Sequence, residues 1–315
     1  MEQRSAEDPS SPRKSPTTDH PASASLRTLL SNLIDYAGLF PPAGLSMRDA
    51  VAAYDRHRQS QDAWALGRFV IPVARLSEFA HTAGNLSRRG HPAWSLSALV
   101  GDDARRDAAV IAQFNAGNAA RFVIDAAEVR VASLDAVSDA VTSLARSLTL
   151  FVEIPLNAQL DQYLNALSSA RARAKIRTGG VTADAVPSSH DVARFLVACA
   201  ANALPFKATA GLHHPLRSEY PLTYQLDAKR ATMFGFLNVF LAAGLAHAGV
   251  GGTEVSSLLE EREPASIHFT SSGVSWRRHE LSIDQLISAR QTFALSFGSC
   301  SFDEPLGELR ARSLL

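Results

Sequence analysis

Ala-Lys-Ile-Arg-Thr-Gly-Gly at 174–180 and Pro-Phe-Lys-Ala-Thr-Ala-Gly at 205–211 are the two segments that decide the fold of this chain. Each is predicted to be a strand with one lysine near its end, Lys175 in the first and Lys207 in the second. Between them, Ser-Ser-His-Asp at 188–191 is typical of a helix start, and an apolar stripe at helical spacing follows it. This is one β-α-β unit, and a parallel sheet would hold its two strands side by side.

The same alternation recurs along the rest of the chain. We predict eight strands in all, at 33–40, 68–73, 94–100, 121–125 and 148–154, at the two lysine segments, and at 294–302. Helix patterns lie between them, with capping residues at Asp102 or Asp103 and at Ser133. Eight strands alternating with helices predict an α/β protein with a (β/α)8 TIM-like barrel. A doubly wound open sheet fits the local alternation equally well and the count of eight less well.

The predicted domain organisation is a disordered tail at 1–24 and a single barrel domain at 25–315. A hairpin is predicted at about 262–280, before the last strand, because a turn signal separates two strand-like runs there. The apolar run at 231–246 is shorter than the ~20 residues of a membrane span. We therefore expect it to lie in a buried helix at about 227–247.

Composition and charge argue against two kinds of partner. The chain of 315 residues is 46% hydrophobic and has 31 basic and 31 acidic side chains, so its formal net charge is zero. A neutral chain argues against nucleic acid or an anionic membrane as the main partner. The two cysteines, Cys199 and Cys300, form no metal-binding or disulfide pattern, and a cytoplasmic location is the default expectation.

The paired lysines are the strongest indication of chemistry. A second ammonium close by lowers the pKa of a lysine, and a neutral amine is the nucleophile of Schiff-base reactions. Two adjacent strands of a barrel would bring Lys175 and Lys207 together at the carboxyl-terminal face, where such enzymes have their active sites. The alternative is a structural pair in which Asp125 or Glu153 neutralises a lysine inside the barrel.

Other polar residues follow the predicted strands and would face the same site. Arg177, Thr178, Gly179 and Gly180 could bind an anion through a guanidinium and free backbone N–H groups, although a plain strand-to-helix turn would also use these glycines. Asp125 and Glu153 are candidate proton carriers, and Asp35 is a third acidic candidate.

Three further residues are less specific candidates. Thr209 shares a strand face with Lys207, and His213 follows the same strand as a candidate substrate or metal ligand. A polar loop position is the alternative for His213. Cys300 is a candidate nucleophile without a histidine partner that the sequence identifies, and a small buried residue is the alternative account.

The segment at about 173–217 resembles the deoxyribose-phosphate aldolase family of class I aldolases. Lys175-Ile-Arg-Thr-Gly179 matches the family's Lys-x-x-Thr-Gly pattern, and Phe206-Lys207-Ala-Thr-Ala-Gly211 matches Phe-Lys-x-x-Gly-Gly in part. The resemblance implies that Lys175 forms the Schiff base, that Lys207 lowers its pKa, and that Asp125 has the place of a proton-relay aspartate. The chain reads Ala210-Gly-Leu-His-His-Pro215 where the family continues into a phosphate-binding motif, so the resemblance does not imply a phosphorylated substrate.

The leading hypothesis is a Schiff-base-forming lyase or aldolase that acts on a small carbonyl substrate, with Arg177 as the partner of an anionic group. Such chemistry needs no metal or cofactor, because the iminium is the electron sink. One alternative is a metal- or anion-dependent barrel enzyme that uses Glu153, His213 and Asp125. Another is a non-catalytic barrel that binds a partner through the hairpin near Trp276. A monomer and a homo-oligomer both stay open.

Overall fold

Eight parallel strands form a closed barrel in a computed structural model, which describes residues 22–84, 86, 92–144 and 148–315. The barrel strands are β1 (Ile34–Tyr36), β2 (Leu66–Pro72), β3 (Trp94–Leu99), β4 (Phe122–Arg130), β5 (Thr149–Glu153), β6 (Arg173–Arg177), β7 (Phe206–Thr209) and β13 (Ala294–Ser299). Each strand pairs with the next in chain order, and β13 closes the ring between β7 and β1. The closed ring confirms the (β/α)8 TIM-like barrel and excludes the open sheet.

Helices alternate with these strands. They are α1 (Ala24–Leu30), α2 (Met47–Arg58), α3 (Leu76–Ala83), α4 (Ala104–Asn118), α5 (Leu134–Leu144), α6 (Leu160–Ser169), α7 (Ser189–Ala201), α8 (Phe236–His247), α9 (Gly252–Leu259), α10 (Ile283–Thr292) and α11 (Asp303–Ala311). The predicted caps are confirmed where the structure places them. Asp103 accepts a hydrogen bond from the Arg106 N–H, Ser133 from the Ala136 N–H and Ser188 from the Asp191 N–H, so each satisfies a free donor of the first turn.

Aromatic side chains fill the layer between barrel and helices. On one side, Tyr54 of α2 contacts Trp94 of β3 at a ring-centroid distance of 5.1 Å, and Phe79 of α3 contacts Phe122 of β4 at 5.0 Å. On the opposite side, Phe206 of β7 packs edge-to-face on Phe293 at 5.2 Å. Side chains alternate along a strand, so the residues between these aromatics point into the barrel. Several of those inward residues are charged.

Two predicted boundaries are wrong in ways that matter for the site. Strand β4 continues to Arg130 rather than ending at Asp125. The helix expected at 227–247 begins only at Phe236, because β9 (Arg230–Met233) pairs with β8 (Ser218–Pro221) in an antiparallel hairpin. This hairpin lies between β7 and α8, on the carboxyl-terminal side of the barrel.

The insertion before the last strand is a three-stranded sheet rather than a hairpin. It consists of β10 (Ile267–Phe269), β11 (Gly273–Trp276) and β12 (His279–Ser282) and packs against α1, α8 and α10. Residues 1–21 of the predicted tail lie outside the described residues, and Ser23 caps α1. In the part of the chain that the structure describes, no helix has the length and apolarity needed to cross a membrane.

Candidate active site

Lys175 and Lys207 lie directly opposite each other on β6 and β7 and share one carboxylate, that of Glu128 on β4. Lys175 Nζ is 2.9 Å from Glu128 Oε2, and Lys207 Nζ is 2.6 Å from Glu128 Oε1. All three side chains are buried. Burial by itself would raise the pKa of Glu128, but the two ammonium groups outweigh burial and lower it well below the usual range. Glu128 is therefore a carboxylate held between two cations.

Lys207 is enclosed on its other side by Asp35 of β1. Its Nζ lies 2.6 Å from Asp35 Oδ2, which also accepts a hydrogen bond from the Ser296 hydroxyl of β13. Burial opposes the charged form of Lys207, but Asp35 and Glu128 together outweigh burial and raise its pKa. Lys207 is thus a permanently charged ammonium at neutral pH, below the cavity rather than on its wall. Asp35 is its counter-charge and does not line the cavity.

Lys175 is also in contact with Glu153, the last residue of β5. Lys175 Nζ is 3.0 Å from Glu153 Oε2, and Glu153 Oε1 accepts a hydrogen bond from Arg177 Nε at 2.9 Å. Burial alone would raise the pKa of Glu153, but Lys175 and Arg177 outweigh burial and lower it. Glu153 therefore divides its charge between a buried amine and a guanidinium that is partly open to solvent.

A cavity of about 470 Å³ opens at the carboxyl-terminal face of the barrel, and Lys175 is on its wall. Its wall also includes Glu128, Glu153, Arg177, Thr209 and His213. The β8–β9 hairpin covers part of the mouth with Pro221, Leu222, Thr223, Tyr224 and Met233. The cavity is large enough for a small molecule and has polar groups at its base with apolar side chains around them, as ligand sites commonly do.

The loop after β6 has mixed roles. Gly180 lines the cavity, whereas Gly179 lies beneath it against Gly211 of the loop after β7. The Thr178 hydroxyl donates a hydrogen bond to the Ala210 carbonyl at 2.7 Å and is buried. Thr178 and Gly179 therefore join two loops, while Arg177 and Gly180 are free to meet a ligand.

The expectation that Asp125 faces the active site is wrong. Because β4 continues for five residues beyond it, Asp125 lies toward the amino-terminal end of the barrel. There its carboxylate accepts two hydrogen bonds from Arg68 of β2, at 2.7 and 2.9 Å. Glu128, three residues farther along β4, has the position that was expected of Asp125.

Glu128 is the functional candidate that sequence reasoning missed. The run Ala126-Ala-Glu-Val-Arg130 would have extended the strand, with Ala126 and Glu128 on one face. The pairing with β3 shifts by one residue at Asp125, so Ile124 is not on that face. Ending the strand at Asp125 moved the acidic candidate by three residues. The contact between Glu128 and both lysines could come only from three strands meeting inside the barrel.

His213 and Cys300 form a second polar group on the cavity wall. Cys300 Sγ is 3.9 Å from His213 Nδ1, and His213 Nδ1 is 3.2 Å from Glu304 Oε2. Tyr224 donates to the same Glu304 oxygen at 3.0 Å. The histidine partner of Cys300 follows β7, close to β13 in space and 87 residues earlier in the chain.

Two residues of the metal-dependent alternative, Glu153 and His213, line the same cavity, but Asp125 does not join them because its carboxylate is bound to Arg68. Among residues 22–84, 86, 92–144 and 148–315, no group of three or more His, Cys, Asp or Glu side chains is placed to hold a metal ion.

The non-catalytic alternative would bind a partner near Trp276, but the polar side chains there are paired within the chain. Arg277 contacts Glu261 at 3.0 Å, and the Trp276 indole N–H donates to the same carboxylate.

No protein-family model and no curated protein matches the chain.

Proposed function

We propose that this protein is a Schiff-base-forming enzyme of the lyase or aldolase type that acts on a small carbonyl compound, with Lys175 as the nucleophile. The observation that carries the proposal is the placement of the Lys175 amine on the wall of the cavity, with a carboxylate 2.9 Å away on one side and another 3.0 Å away on the other. A lysine with adjacent proton acceptors and an open approach for a carbonyl carbon has what amine catalysis requires.

Both carboxylates beside Lys175 are shared with another cation. Glu128 divides its charge between two ammonium groups, and Glu153 divides its charge between Lys175 and Arg177. Neither carboxylate is therefore the exclusive partner of Lys175. When the free amine attacks the carbonyl carbon, the carbon–oxygen π bond breaks. Glu153, 3.0 Å from the amine, is placed to pass the proton of the attacking nitrogen to the carbinolamine oxygen, which then leaves as water and gives the iminium.

Lys207 supports this arrangement through Glu128. Its ammonium is fixed by Asp35 and Glu128 and is directly opposite Lys175 in the strand register. Lys207 therefore holds part of the Glu128 charge that would otherwise fall on Lys175 alone. Arg177, with its side chain 44% exposed at the mouth, is suited to an anionic group on the substrate.

The test is intact-mass measurement after borohydride treatment with a panel of aldehydes and 2-oxo acids. The chain has four lysines, at 14, 175, 207 and 229, so peptide mapping of an adduct has few positions to distinguish. We expect an adduct on wild type at Lys175. Lys175→Arg keeps the positive charge for Glu128 and Glu153 and should give no adduct.

Lys229→Arg is the matched control on the β8–β9 hairpin and should retain the adduct. Lys207→Met should retain a nucleophile at Lys175 and form the adduct more slowly. A folded wild type without an adduct from any carbonyl in the panel, or an adduct that persists in Lys175→Arg, overturns the proposal.

A further inference from the structure

The His213 ring and the Tyr224 hydroxyl lie against the sulfur of Cys300, just after β13 at the rim of the cavity. His213 Nδ1 and Nε2 are 3.9 and 4.0 Å from the sulfur, and the Tyr224 hydroxyl oxygen is 3.6 Å from it. Cys300 and His213 are both buried from bulk solvent but line the cavity. A thiol in contact with a histidine that can carry a positive charge is the arrangement that stabilises a thiolate.

Glu304, at the start of α11, positions both of these side chains. One of its oxygens is 3.2 Å from His213 Nδ1 and accepts the Tyr224 hydrogen bond at 3.0 Å. Burial would lower the pKa of His213, but Cys300 and Glu304 outweigh burial and raise it to about 9. Burial would raise the pKa of the Cys300 thiol, but the hydrogen bond and charge of His213 outweigh burial and lower it. Both shifts come from the contact between the thiol and the imidazole, which favours a thiolate–imidazolium pair.

We propose that Cys300 is a second nucleophile of this cavity and takes up an aldehyde as a hemithioacetal, with His213 as the proton donor. In this step the sulfur lone pair forms a bond to the carbonyl carbon, and the carbon–oxygen π bond breaks. The oxygen then takes the proton of the His213 imidazolium. The product is a neutral hemithioacetal beside a neutral imidazole, and the reverse step restores the ion pair.

The chemistry of the site favours an aldehyde over other electrophiles. Addition to an aldehyde needs one thiolate and one proton, which Cys300 and His213 supply, and it needs neither an oxidant nor a leaving group. A disulfide within the chain would need Cys199, which is buried on α7 and has its pKa raised by burial. The reactivity of Cys300 is independent of Lys175, because no contact joins that amine to the side chains of Cys300, His213, Tyr224 and Glu304.

Cys199 gives the experiment an internal control, since these are the only two cysteines. Cys199→Ser leaves Cys300 alone, and Cys300→Ser leaves Cys199 alone. We would measure the rate of iodoacetamide alkylation of each folded variant between pH 5.5 and 9. At pH 6.5 a thiol of ordinary pKa is only ~1% thiolate, so a preformed thiolate should react at least ~10-fold faster than an ordinary thiol. Cys300 should reach this rate, and Cys199 should not react.

Removal of the histidine tests the origin of that reactivity. In the Cys199→Ser background, His213→Gln should move the alkylation profile to higher pH and abolish the advantage at pH 6.5. If that variant does not fold, Glu304→Gln gives the same readout, because it removes a carboxylate that holds His213 in its charged form and should produce a smaller shift in the same direction. A rate at Cys300 with the pH dependence of an ordinary thiol, or a profile that neither substitution shifts, overturns the proposal.

The aldehyde is tested by protection in the double variant Lys175→Arg, Cys199→Ser, which cannot form a Schiff base at Lys175. Glycolaldehyde should slow alkylation of Cys300 reversibly, whereas acetate of similar size should not. A reactive Cys300 that glycolaldehyde does not protect overturns the aldehyde assignment. Because Lys175 is absent from this protein, the result is independent of the borohydride experiment.

Discussion

Glu128 has one carboxylate oxygen on each of two lysines, and its Oε1 also accepts a hydrogen bond from Ser97 at 2.7 Å. The transfer of such a carboxylate and two ammonium groups from water into a barrel interior costs several kcal/mol per ion, which mutual attraction and hydrogen bonds must offset. The three acidic side chains Asp35, Glu128 and Glu153 surround the two lysines, so each of these five buried charges has a partner. The loss of one partner leaves another charge uncompensated.

Glu128→Gln should lower the free energy of unfolding by about 3–5 kcal/mol, because two buried ammonium groups lose the charge between them. Urea denaturation at pH 7 measures this. The matched control is Glu219→Gln on the β8–β9 hairpin, where the pair with Arg230 is exposed and contributes about 1 kcal/mol or less. Equal losses of unfolding free energy in the two variants would contradict the role of Glu128 as the shared partner of both lysines.

The stability of the protein should also depend on pH through these carboxylates. The pKa values of Glu128 and Glu153 are lowered in the folded state, whereas an unfolded glutamate has a pKa of ~4.3. Their contribution is therefore complete above pH ~4.3 and is lost as the pH falls toward the folded-state values. Urea midpoints at several values between pH 7 and 3 should fall steeply for wild type and less steeply for Glu128→Gln. Parallel curves of urea midpoint against pH for the two proteins would show that Glu128 does not contribute to the pH dependence.

At the scale of structural elements, the loops after β6 and β7 are held against each other at a backbone contact. A Cβ on Gly179 would lie 2.9 Å from the Cα of Gly211, and Gly211 has φ of +79°, which favours glycine. The Thr178 hydroxyl bonds to the same neighbouring loop. This contact fixes the direction in which Arg177 and Gly180 leave the barrel strand and meet the cavity.

Gly179→Ala should destabilise the protein by about 1–3 kcal/mol, because the added methyl group forces one backbone segment away from the other. It should also slow borohydride-trapped adduct formation, since Arg177 and Gly180 would shift. Gly117→Ala is the control, because a Cβ there meets nothing within 4 Å in helix α4 and should be neutral or stabilising by up to ~1 kcal/mol. Urea midpoints and trapping rates measure both; a harmless Gly179→Ala would exclude the backbone contact as a constraint.

At the scale of the whole molecule, the barrel separates its charges along its axis. Asp125 and Arg68 pair toward the amino-terminal end, and Glu128, Glu153 and Lys175 meet at the cavity. The β8–β9 hairpin and the residues after β13 then cover the cavity from above. Chemistry should therefore respond to changes at one end of the barrel and not at the other.

Asp125→Asn should form the borohydride-trapped adduct at the wild-type rate, because its partner is Arg68 and it does not reach the cavity. Glu153→Gln should form it ~10²-fold more slowly or worse, since a general acid or base contributes that much to proton transfer. Intact-mass time courses of the two variants decide this. A slow Asp125→Asn beside a fast Glu153→Gln would restore the role first expected of Asp125.

The sequence determined the alternation of strands and helices and the strands that carry the two lysines. Apolar runs alternating with capped helices are local signals, and they were enough to predict eight strands and to put Lys175 and Lys207 on adjacent ones. It also identified Glu153 and Arg177 at the ends of adjacent strands. These predictions depend on periodicity and neighbouring residues, which a linear chain displays directly.

Only the tertiary structure decided which charges meet. Glu128 touches both lysines because β4, β6 and β7 project into one interior, and Asp125 is removed from the site because β4 continues beyond it. Cys300 acquires His213 as a partner because ring closure brings β13 beside β7. Contacts between residues far apart in sequence depend on strand register and closure of the barrel, and no local pattern of residues specifies either.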